Sequence, residues 1–141
     1  MPASPECLFC AIVAGTQPAA RVLEEEHCVA FLDARPLFEG HVLLVPREHH
    51  VTLADLPEPL VAPLFVTAQR LCRAVEQAQD AQGSFVAMNN VVSQSVPHLH
   101  VHVVPRRRKD GLRGFFWPRT TYAGEAAMAE VAARIRAALD G

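Results

Sequence analysis

Three histidines alternate with aliphatic residues in the segment His98-Leu99-His100-Val101-His102. Residues two apart on a β-strand share a face and lie about 6.5–7 Å apart. The alternation therefore predicts a strand that presents the three imidazoles on one face and turns Leu99, Val101 and Val103 into the core. A strand that the core holds in place also fixes its imidazoles, and such preorganisation is what a catalytic group needs.

The histidine cluster has three interpretations at this point. An imidazole has an ordinary pKa near 6.5, so one ring nitrogen can attack a phosphate while the other donates to a carbonyl. The histidines could instead hold a catalytic metal ion, or they could face solvent on a half-polar strand. The polar loop just before the segment favours phosphate chemistry over a bare metal site, although such residues also form ordinary turns. This loop contains Asn89, Asn90, Ser93, Gln94 and Ser95.

The chain has 141 residues, of which 50% are hydrophobic, and it carries a formal net charge of −2. The length suits one domain over residues 1–141, and the charge gives no reason to expect a nucleic-acid partner. The basic run Arg106–Lys109 is interpreted as a solvated loop. The sequence contains no apolar stretch of membrane-spanning length and no signal-peptide pattern at its start, so we expect a cytoplasmic protein without a membrane partner.

The hydrophobic pattern predicts an α+β fold, with helices on an antiparallel sheet. The predicted strands are Arg21–Glu25, Cys28–Asp33, His41–Pro46, Phe85–Asn89 and Pro97–Val104. A long central helix is expected from near Pro57 to a stop at Gly83, a short helix at Cys7–Ala14 and an amphipathic helix at Glu125–Leu139. Pro63 either belongs to a late first turn or kinks the central helix.

Cys7 and Cys10 form a Cys-x-x-Cys pair, which is half of many tetrahedral zinc sites. A redox pair is the competing interpretation, but such pairs accompany a strand–helix–strand unit, and this one precedes the first strand. A structural disulfide framework is not expected in a reducing compartment. Cys28 and Cys72 lie among apolar residues and are interpreted as small buried hydrophobes.

Four blocks of sequence carry a family resemblance. They are Cys7-Leu8-Phe9-Cys10-Ala11-Ile12-Val13, Ala30-Phe31-Leu32-Asp33, Gly40-His41-Val42-Leu43-Leu44-Val45-Pro46, and the run from Gln94 to Pro105. In this order and spacing the chain resembles the histidine-triad (HIT) nucleotide-binding family from about Cys7 to Trp117. On this basis residues 6–118 form the core of the domain and residues 119–141 a C-terminal helical extension.

The resemblance implies a five-stranded antiparallel sheet with one long central helix, which pairs as a homodimer. It also implies a nucleoside phosphate pocket in which His100 is the nucleophile and His102 holds the phosphate. Asp33 would bind the ribose hydroxyls, since a carboxylate can accept from two hydroxyls at once. Phe9, Ile12 and Leu32 would lie near the base, and Asn89, Gln94 and Ser95 would surround the phosphate.

Zinc-bearing members of the family imply the remaining ligands of a metal site. By resemblance these are His49 and His98, which join Cys7 and Cys10, with His50 as the competitor for the third position. Four protein ligands close a site to water, so the zinc would be structural. Two buried thiols without a metal are the alternative.

The implied activity is covalent catalysis at the α-phosphate of dinucleoside polyphosphates or nucleoside phosphoramidates, by hydrolysis or by transfer to another acceptor. A non-catalytic nucleotide-binding protein and a redox or metal-storage protein are the alternatives. The loop Asn90-Val91-Val92-Ser93 is shorter than the family's loop and lacks its glycine. The segment Arg113–Arg119 is aromatic, and it would shape the substrate mouth, a dimer contact or a packed loop.

Overall fold

A computed structural model describes residues 3–4, 6–112 and 118–140, and it contains five strands and three α-helices in these ranges. The elements in chain order are α1 (Leu8–Ala14), β1 (Arg21–Glu24), β2 (Cys28–Leu32), β3 (Val42–Pro46), α2 (Glu58–Ala78), β4 (Gly83–Ala87), β5 (Val101–Arg106) and α3 (Glu125–Asp140). A short 3-10 turn at Leu53–Asp55 precedes α2. The predicted α+β class is confirmed.

The five strands form one sheet in the order β1-β2-β3-β5-β4, and every neighbouring pair is antiparallel. Strand β5 therefore lies between β3 and the edge strand β4. Its residue His102 stands opposite Leu43 of β3 and Ala87 of β4. The five-stranded antiparallel sheet that the resemblance implied is thus confirmed, and its last strand in sequence is inserted between two earlier ones.

The two faces of the sheet are buried by different helices. Helix α2 covers the face that carries Leu44, Leu99, Val101 and Val103, with which it forms one apolar cluster. On the other face, α1 packs on residues of β2 and β3 and forms a second cluster. The members of this second cluster are Cys7, Phe9, Cys10, Ile12, Val29, Phe31, Leu43 and Val45. The histidines of the candidate site lie on this second face, beneath the short helix.

Helix α2 runs through Pro63 without ending. A proline there removes one hydrogen bond, the one that its N–H would have donated to the carbonyl of Pro59 four residues earlier. The helix buries Leu64, Ala68, Leu71 and Val75, which recur at the spacing of one helical face. Burial of this face therefore maintains the helix through the proline.

The predicted histidine strand is shorter than expected at its start. Strand β5 begins at Val101, so His98 and His100 lie in the segment that leads into it, and His102 lies within it. The registered pairing between β3 and β5 ends where Leu44 stands opposite Val101, and further along the Leu99 amide donates to the His50 carbonyl at 2.7 Å, beyond the end of β3 at Pro46. The prediction that a single strand presents all three imidazoles is therefore wrong for His98 and His100.

The chain divides into two compact units, Met1–Asp110 and Gly111–Gly141. The second unit contains α3, whose apolar side chains at Met128, Ile135 and Leu139 are exposed. Most of the aromatic segment Arg113–Arg119 lies outside the described residues. Over the described ranges, none of the helices has the length and apolar character that a bilayer crossing requires.

Candidate functional site

A cleft of about 770 Å³ opens beside α1 on the face of the sheet that carries the histidines. It brings together most of the residues that the sequence assigned to a nucleotide pocket. Those that line it are Phe9, Ile12, Leu32, Asp33, Ser95, His100 and His102. The apolar members belong to α1 and β2, His100 and Ser95 come from the segment leading into β5, and His102 comes from β5 itself. The cleft therefore has an apolar part and a polar part.

His100 is held by the backbone of His98. Its Nδ1 atom lies 2.8 Å from the His98 carbonyl oxygen, so Nδ1 carries the proton and donates it. The Nε2 atom of neutral His100 is then the nitrogen with a lone pair. The ring is 3% exposed, and Phe9 packs edge-on against it with ring centroids 5.0 Å apart. This arrangement presents one nucleophilic nitrogen in a fixed direction.

His41 determines the tautomer of His102. The Leu37 amide donates to Nδ1 of His41 at 3.1 Å, so the proton of neutral His41 is on Nε2. That atom lies 3.0 Å from Nδ1 of His102 and donates to it. Neutral His102 consequently carries its own proton on Nε2. This proton is available to a ligand, because His102 lines the cleft.

Both rings of this pair are held neutral by their surroundings. Burial lowers the pKa of His41, against the opposing effect of Asp33, whose Oδ2 lies 3.8 Å from His41 Nε2. Burial, together with the neighbouring His100 and His41, lowers the pKa of His102 to about 4, against the opposing effect of Asp33. At neutral pH, His102 is therefore a hydrogen-bond donor without a positive charge.

The sequence analysis assigned no role to His41, although it lies in one of the blocks that carry the resemblance. A signal was present, since Gly40-His41 precedes a wholly apolar strand and His41 is the one polar residue at its entrance. The side chain is 3% exposed and bonded at both ring nitrogens. Hydrogen bonds at both ring nitrogens fix the orientation of the buried His41 ring. One of its two partners is His102, which lines the cleft.

The side chains of the predicted phosphate ligands Asn89 and Gln94 form hydrogen bonds to backbone groups of their own loop and of Val51. Asn89 donates to the Ser93 carbonyl at 3.2 Å. Gln94 accepts from the Val91 amide at 2.8 Å and donates to the Val51 carbonyl at 2.6 Å. Ser95, in contrast, lines the cleft. Of these three residues, Ser95 therefore lines the cleft, while the Asn89 and Gln94 side chains hydrogen-bond to the backbone of the loop and of Val51.

A second group of side chains, defined here as the tetrad Cys7, Cys10, His49 and His98, converges behind His100. His98 Nδ1 lies 3.4 Å from the Cys7 sulfur and 3.5 Å from the Cys10 sulfur. The Cys10 sulfur lies 3.3 Å from His49 Nδ1. Both predicted cysteines and both predicted histidines are thus brought together.

The tetrad fits a tetrahedral metal ion. A zinc ion with bonds of about 2.3 Å to sulfur and about 2.0 Å to nitrogen separates neighbouring donors by about 3.5 Å. His98 Nε2 donates to the Pro46 carbonyl at 2.9 Å, so the lone pair of Nδ1 points toward the sulfurs. His50, the competing ligand, lies outside the tetrad, and its Nε2 lies 3.4 Å from a carboxylate oxygen of Glu48. The tetrad could therefore hold a metal ion.

Asp33, His41 and His102 form another group of donor atoms within 4.8 Å of one another. This group is poorly suited to a metal ion, because Nδ1 of His41 accepts the Leu37 amide and its Nε2 must then carry a proton. A ligand nitrogen needs a lone pair directed at the ion. We therefore interpret His41 and His102 as a hydrogen-bonded relay, with the Asp33 carboxylate beside it at 3.8 Å from His41 Nε2.

The chain is similar to several known proteins. A family model described as the HIT domain matches residues 14–109. An uncharacterized HIT-like protein of Mycobacterium tuberculosis is 40% identical over 108 residues, which are 75% of either chain. The adenosine 5′-monophosphoramidase HNT1 of Saccharomyces cerevisiae is 33% identical over 75% of this chain and 66% of its own. The adenylylsulfatase HINT3 of Arabidopsis thaliana is 31% identical over 76% of this chain and 55% of its own.

Solved structures share the fold. SMU.412c from Streptococcus mutans superposes with a TM-score of 0.86 at 32% identity, over 99% of this chain and 89% of its own. A Zn-bound histidine triad family protein from Mycobacterium smegmatis superposes with a TM-score of 0.73 at 38% identity, over 92% of this chain and 97% of its own.

Proposed function

The chain belongs to the HIT family, and we propose that it is an enzyme that cleaves nucleoside phosphate derivatives at the α-phosphorus through a nucleotidyl intermediate on His100. The observation that carries this proposal is the hydrogen bond from His100 Nδ1 to the His98 carbonyl. It leaves the lone pair of His100 on Nε2, and His100 lines the cleft. Two relatives are named as an adenosine 5′-monophosphoramidase and an adenylylsulfatase, both of which act on adenosine phosphate derivatives. Nucleoside phosphoramidates and dinucleoside polyphosphates are the substrate classes that we propose.

Substrate binding follows the division of the cleft. The base lies in the apolar part, near Phe9, Ile12 and Leu32. Asp33 accepts hydrogen bonds from the ribose hydroxyls, since a carboxylate has the lone pairs to bind both. The phosphate then lies beside Ser95 and the two cleft imidazoles. Uncharged donors suit this position, because they stabilise the phosphate oxygens in a partly buried place at little desolvation cost.

In the first step, Nε2 of His100 bonds to the α-phosphorus while the bond from phosphorus to the leaving group breaks. The leaving group takes up a proton from solvent, while Nε2–H of His102 donates a hydrogen bond to a phosphate oxygen, the rings of His100 and His102 being 5.0 Å apart between centroids. In the second step, water attacks the phosphorus, the bond from phosphorus to Nε2 of His100 breaks, and the proton lost by the water goes to solvent. Two displacements replace one difficult displacement, which is the advantage of a nucleophilic side chain.

We also propose that the tetrad holds a structural zinc ion, because two thiols and two imidazoles with suitable spacing form a closed site. When bound, the ion ties the start of α1 to the segment that leads into β5. The Mycobacterium smegmatis neighbour is described as Zn-bound, which supports the proposal. A homodimer and a cytoplasmic location stay predictions, and sedimentation of the purified protein tests the first.

The proposed function is tested with a fluorogenic adenosine phosphoramidate and a diadenosine polyphosphate as substrates. We expect turnover of at least one, and a nucleotidyl group on His100 when the reaction is quenched in alkali and analysed by peptide mass. The His100→Ala variant should lose turnover and labelling, whereas His27→Ala, at an exposed histidine outside the cleft, should keep both. Tight binding of AMP without turnover of either substrate would instead support a non-catalytic nucleotide-binding protein.

A further inference from the structure

We propose that the tetrad Cys7, Cys10, His49 and His98 is a positioning element for the nucleotide site, because His98 and α1 belong to both. This inference rests on the proposed function and adds to it. A structural metal site is usually a local staple that stabilises the fold. Here its ligands share a residue and a helix with the residues that would bind and attack the substrate.

The first connection runs through His98. Its imidazole belongs to the tetrad, with Nδ1 between the two sulfurs, and the residue is 0% exposed. Its backbone carbonyl accepts the Nδ1 proton of His100 at 2.8 Å. A rotation of His98 would move this acceptor and with it the imidazole of His100. The tetrad therefore acts on the nucleophile through one residue.

The second connection runs through α1. Cys7 caps this helix, its sulfur accepting the Cys10 amide at 3.4 Å, so both cysteines fix the first turn. Phe9 lies between them, and its ring meets those of His98 and His100 edge-on, with centroids 5.9 and 5.0 Å apart. Phe9 and Ile12 also line the apolar part of the cleft. The helix that the tetrad anchors is thus a wall of the proposed base pocket.

The sheet and the apolar cluster under α2 contain none of the four tetrad residues. Loss of the metal should therefore leave the sheet intact while α1 and the His98 carbonyl lose their anchor. We expect weaker nucleotide binding and a less defined His100 in a folded protein, and a change in the outer support of a site typically costs about 10-fold or more in function.

The experiment compares zinc-loaded wild-type protein, wild-type protein dialysed against a chelator, and the His49→Gln variant. We choose His49 for substitution because it belongs to the tetrad but lies neither in α1 nor in the segment that contains His100, and it does not line the cleft. His50→Gln is the matched control, since His50 is a neighbouring buried histidine outside the tetrad, and His27→Gln is a second control at an exposed position. Zinc content, circular dichroism, AMP affinity by calorimetry and the His100 Nδ1–H proton signal by NMR are measured for each.

The proposal predicts that metal-free wild-type protein and His49→Gln keep the circular dichroism of the loaded protein, bind AMP about 10-fold more weakly and lose or broaden the His100 Nδ1–H signal. Both controls should match the loaded protein. The proposal is overturned if metal-free protein keeps its AMP affinity within twofold and its Nδ1–H signal, or if it unfolds globally, since the tetrad is then a general staple. If His49→Gln retains zinc, the dialysed wild-type protein decides.

Failure of the proposed function gives a different result. If loaded wild-type protein binds no AMP and turns over no substrate, the proposed function is wrong. The His100 Nδ1–H signal still tests the positioning, because it reports the bond to the His98 carbonyl without substrate.

Discussion

Nε2 of His41 lies 3.0 Å from Nδ1 of His102, and this contact joins a buried residue to one that lines the cleft. The Leu37 amide fixes the direction of the proton in this contact. The orientation and tautomer of His102 therefore depend on a side chain that does not line the histidine cleft.

Replacing His41 with Ala should lower kcat by about 10- to 100-fold, with a smaller effect on KM, because supporting partners of a functional imidazole typically contribute this much. His102 would lose the donor that fixes its tautomer while the rest of the cleft stays in place. Steady-state kinetics with the phosphoramidate measures the effect, and thermal unfolding shows that the variant is folded at the assay temperature. A kcat within twofold of the wild-type value would contradict the role of His41.

The stability of the protein should depend on the neutral state of His102. Its pKa is about 4 in the folded protein, below the ordinary value of 6.5, so between these values the unfolded chain binds more protons. The stabilisation is fully present above about pH 6.5 and is lost as the pH falls toward about 4. Urea unfolding at intervals across this range should show the decline, and the His102→Gln variant should show a shallower one. An equally steep decline in His102→Gln would assign the effect to other groups.

Replacing Asp33 with Ala should raise KM for a ribonucleoside phosphoramidate about 10-fold. Hydrogen bonds to a charged group contribute about 1.5–3 kcal/mol, and the ribose hydroxyls would lose this partner. The matched substrate is the 2′,3′-dideoxy analogue, whose KM should be nearly the same in wild-type and variant proteins. If the variant loses affinity for both substrates equally, Asp33 does not bind the hydroxyls.

Replacing Val91 with Gly should stabilise the protein by about 1 kcal/mol. Val91 has a φ of 70°, and a left-handed conformation costs a non-glycine residue about 1–2 kcal/mol, of which about 0.5–1 kcal/mol is offset by the greater freedom of Gly in the unfolded chain. Val92→Gly is the control, since Val92 is similarly exposed but has no positive φ. Urea unfolding of the two variants should move in opposite directions, and destabilisation by Val91→Gly would show that the loop is not strained there.

Replacing Gly40 with Ala should destabilise the protein by about 2 kcal/mol, which combines backbone strain with a steric conflict. Gly40 has a φ of 95°, and a Cβ there would lie 2.6 Å from Cγ of Gln79 and 3.3 Å from Cγ of Pro105. Gly83→Ala provides the control, because a Cβ at Gly83 meets no atom of the described residues within 4 Å. Equal unfolding free energies for the two variants would be evidence against the conflict.

The fold class, the strand count and the long helix could be predicted from the sequence because they depend on periodicity and on the family resemblance. The predicted ends of the strands were less accurate, because a strand ends where its pairing with a neighbouring strand ends. The start of β5 is the clearest example: the alternation of residues continues to His98, but the pairing with β3 ends where Leu44 stands opposite Val101. A pattern in one segment carries no information about where its pairing with a neighbouring strand ends.

Of the tetrad, Cys7 and Cys10 were predicted from their Cys-x-x-Cys spacing, whereas His49 and His98 were predicted from the family resemblance. The relay from His41 to His102 was not predicted, since a single histidine at the entrance of a strand does not indicate what its ring will meet. The loop residues Asn89 and Gln94 illustrate the reverse case. Their residue types suit a phosphate, but their hydrogen bonds to the backbone are determined by the loop conformation, which a short sequence does not specify.

Strand β5 enters the sheet after both of its neighbours have been synthesised, and it pairs with residues of β3 about sixty positions earlier, such as Val42 with Val103. The closing of this long loop joins the two halves of the sheet and brings His102 opposite Leu43 in the same event. A chain that has not completed the sheet therefore has no assembled cleft. For this molecule, the arrangement of its imidazoles is therefore complete only once β5 has joined the sheet.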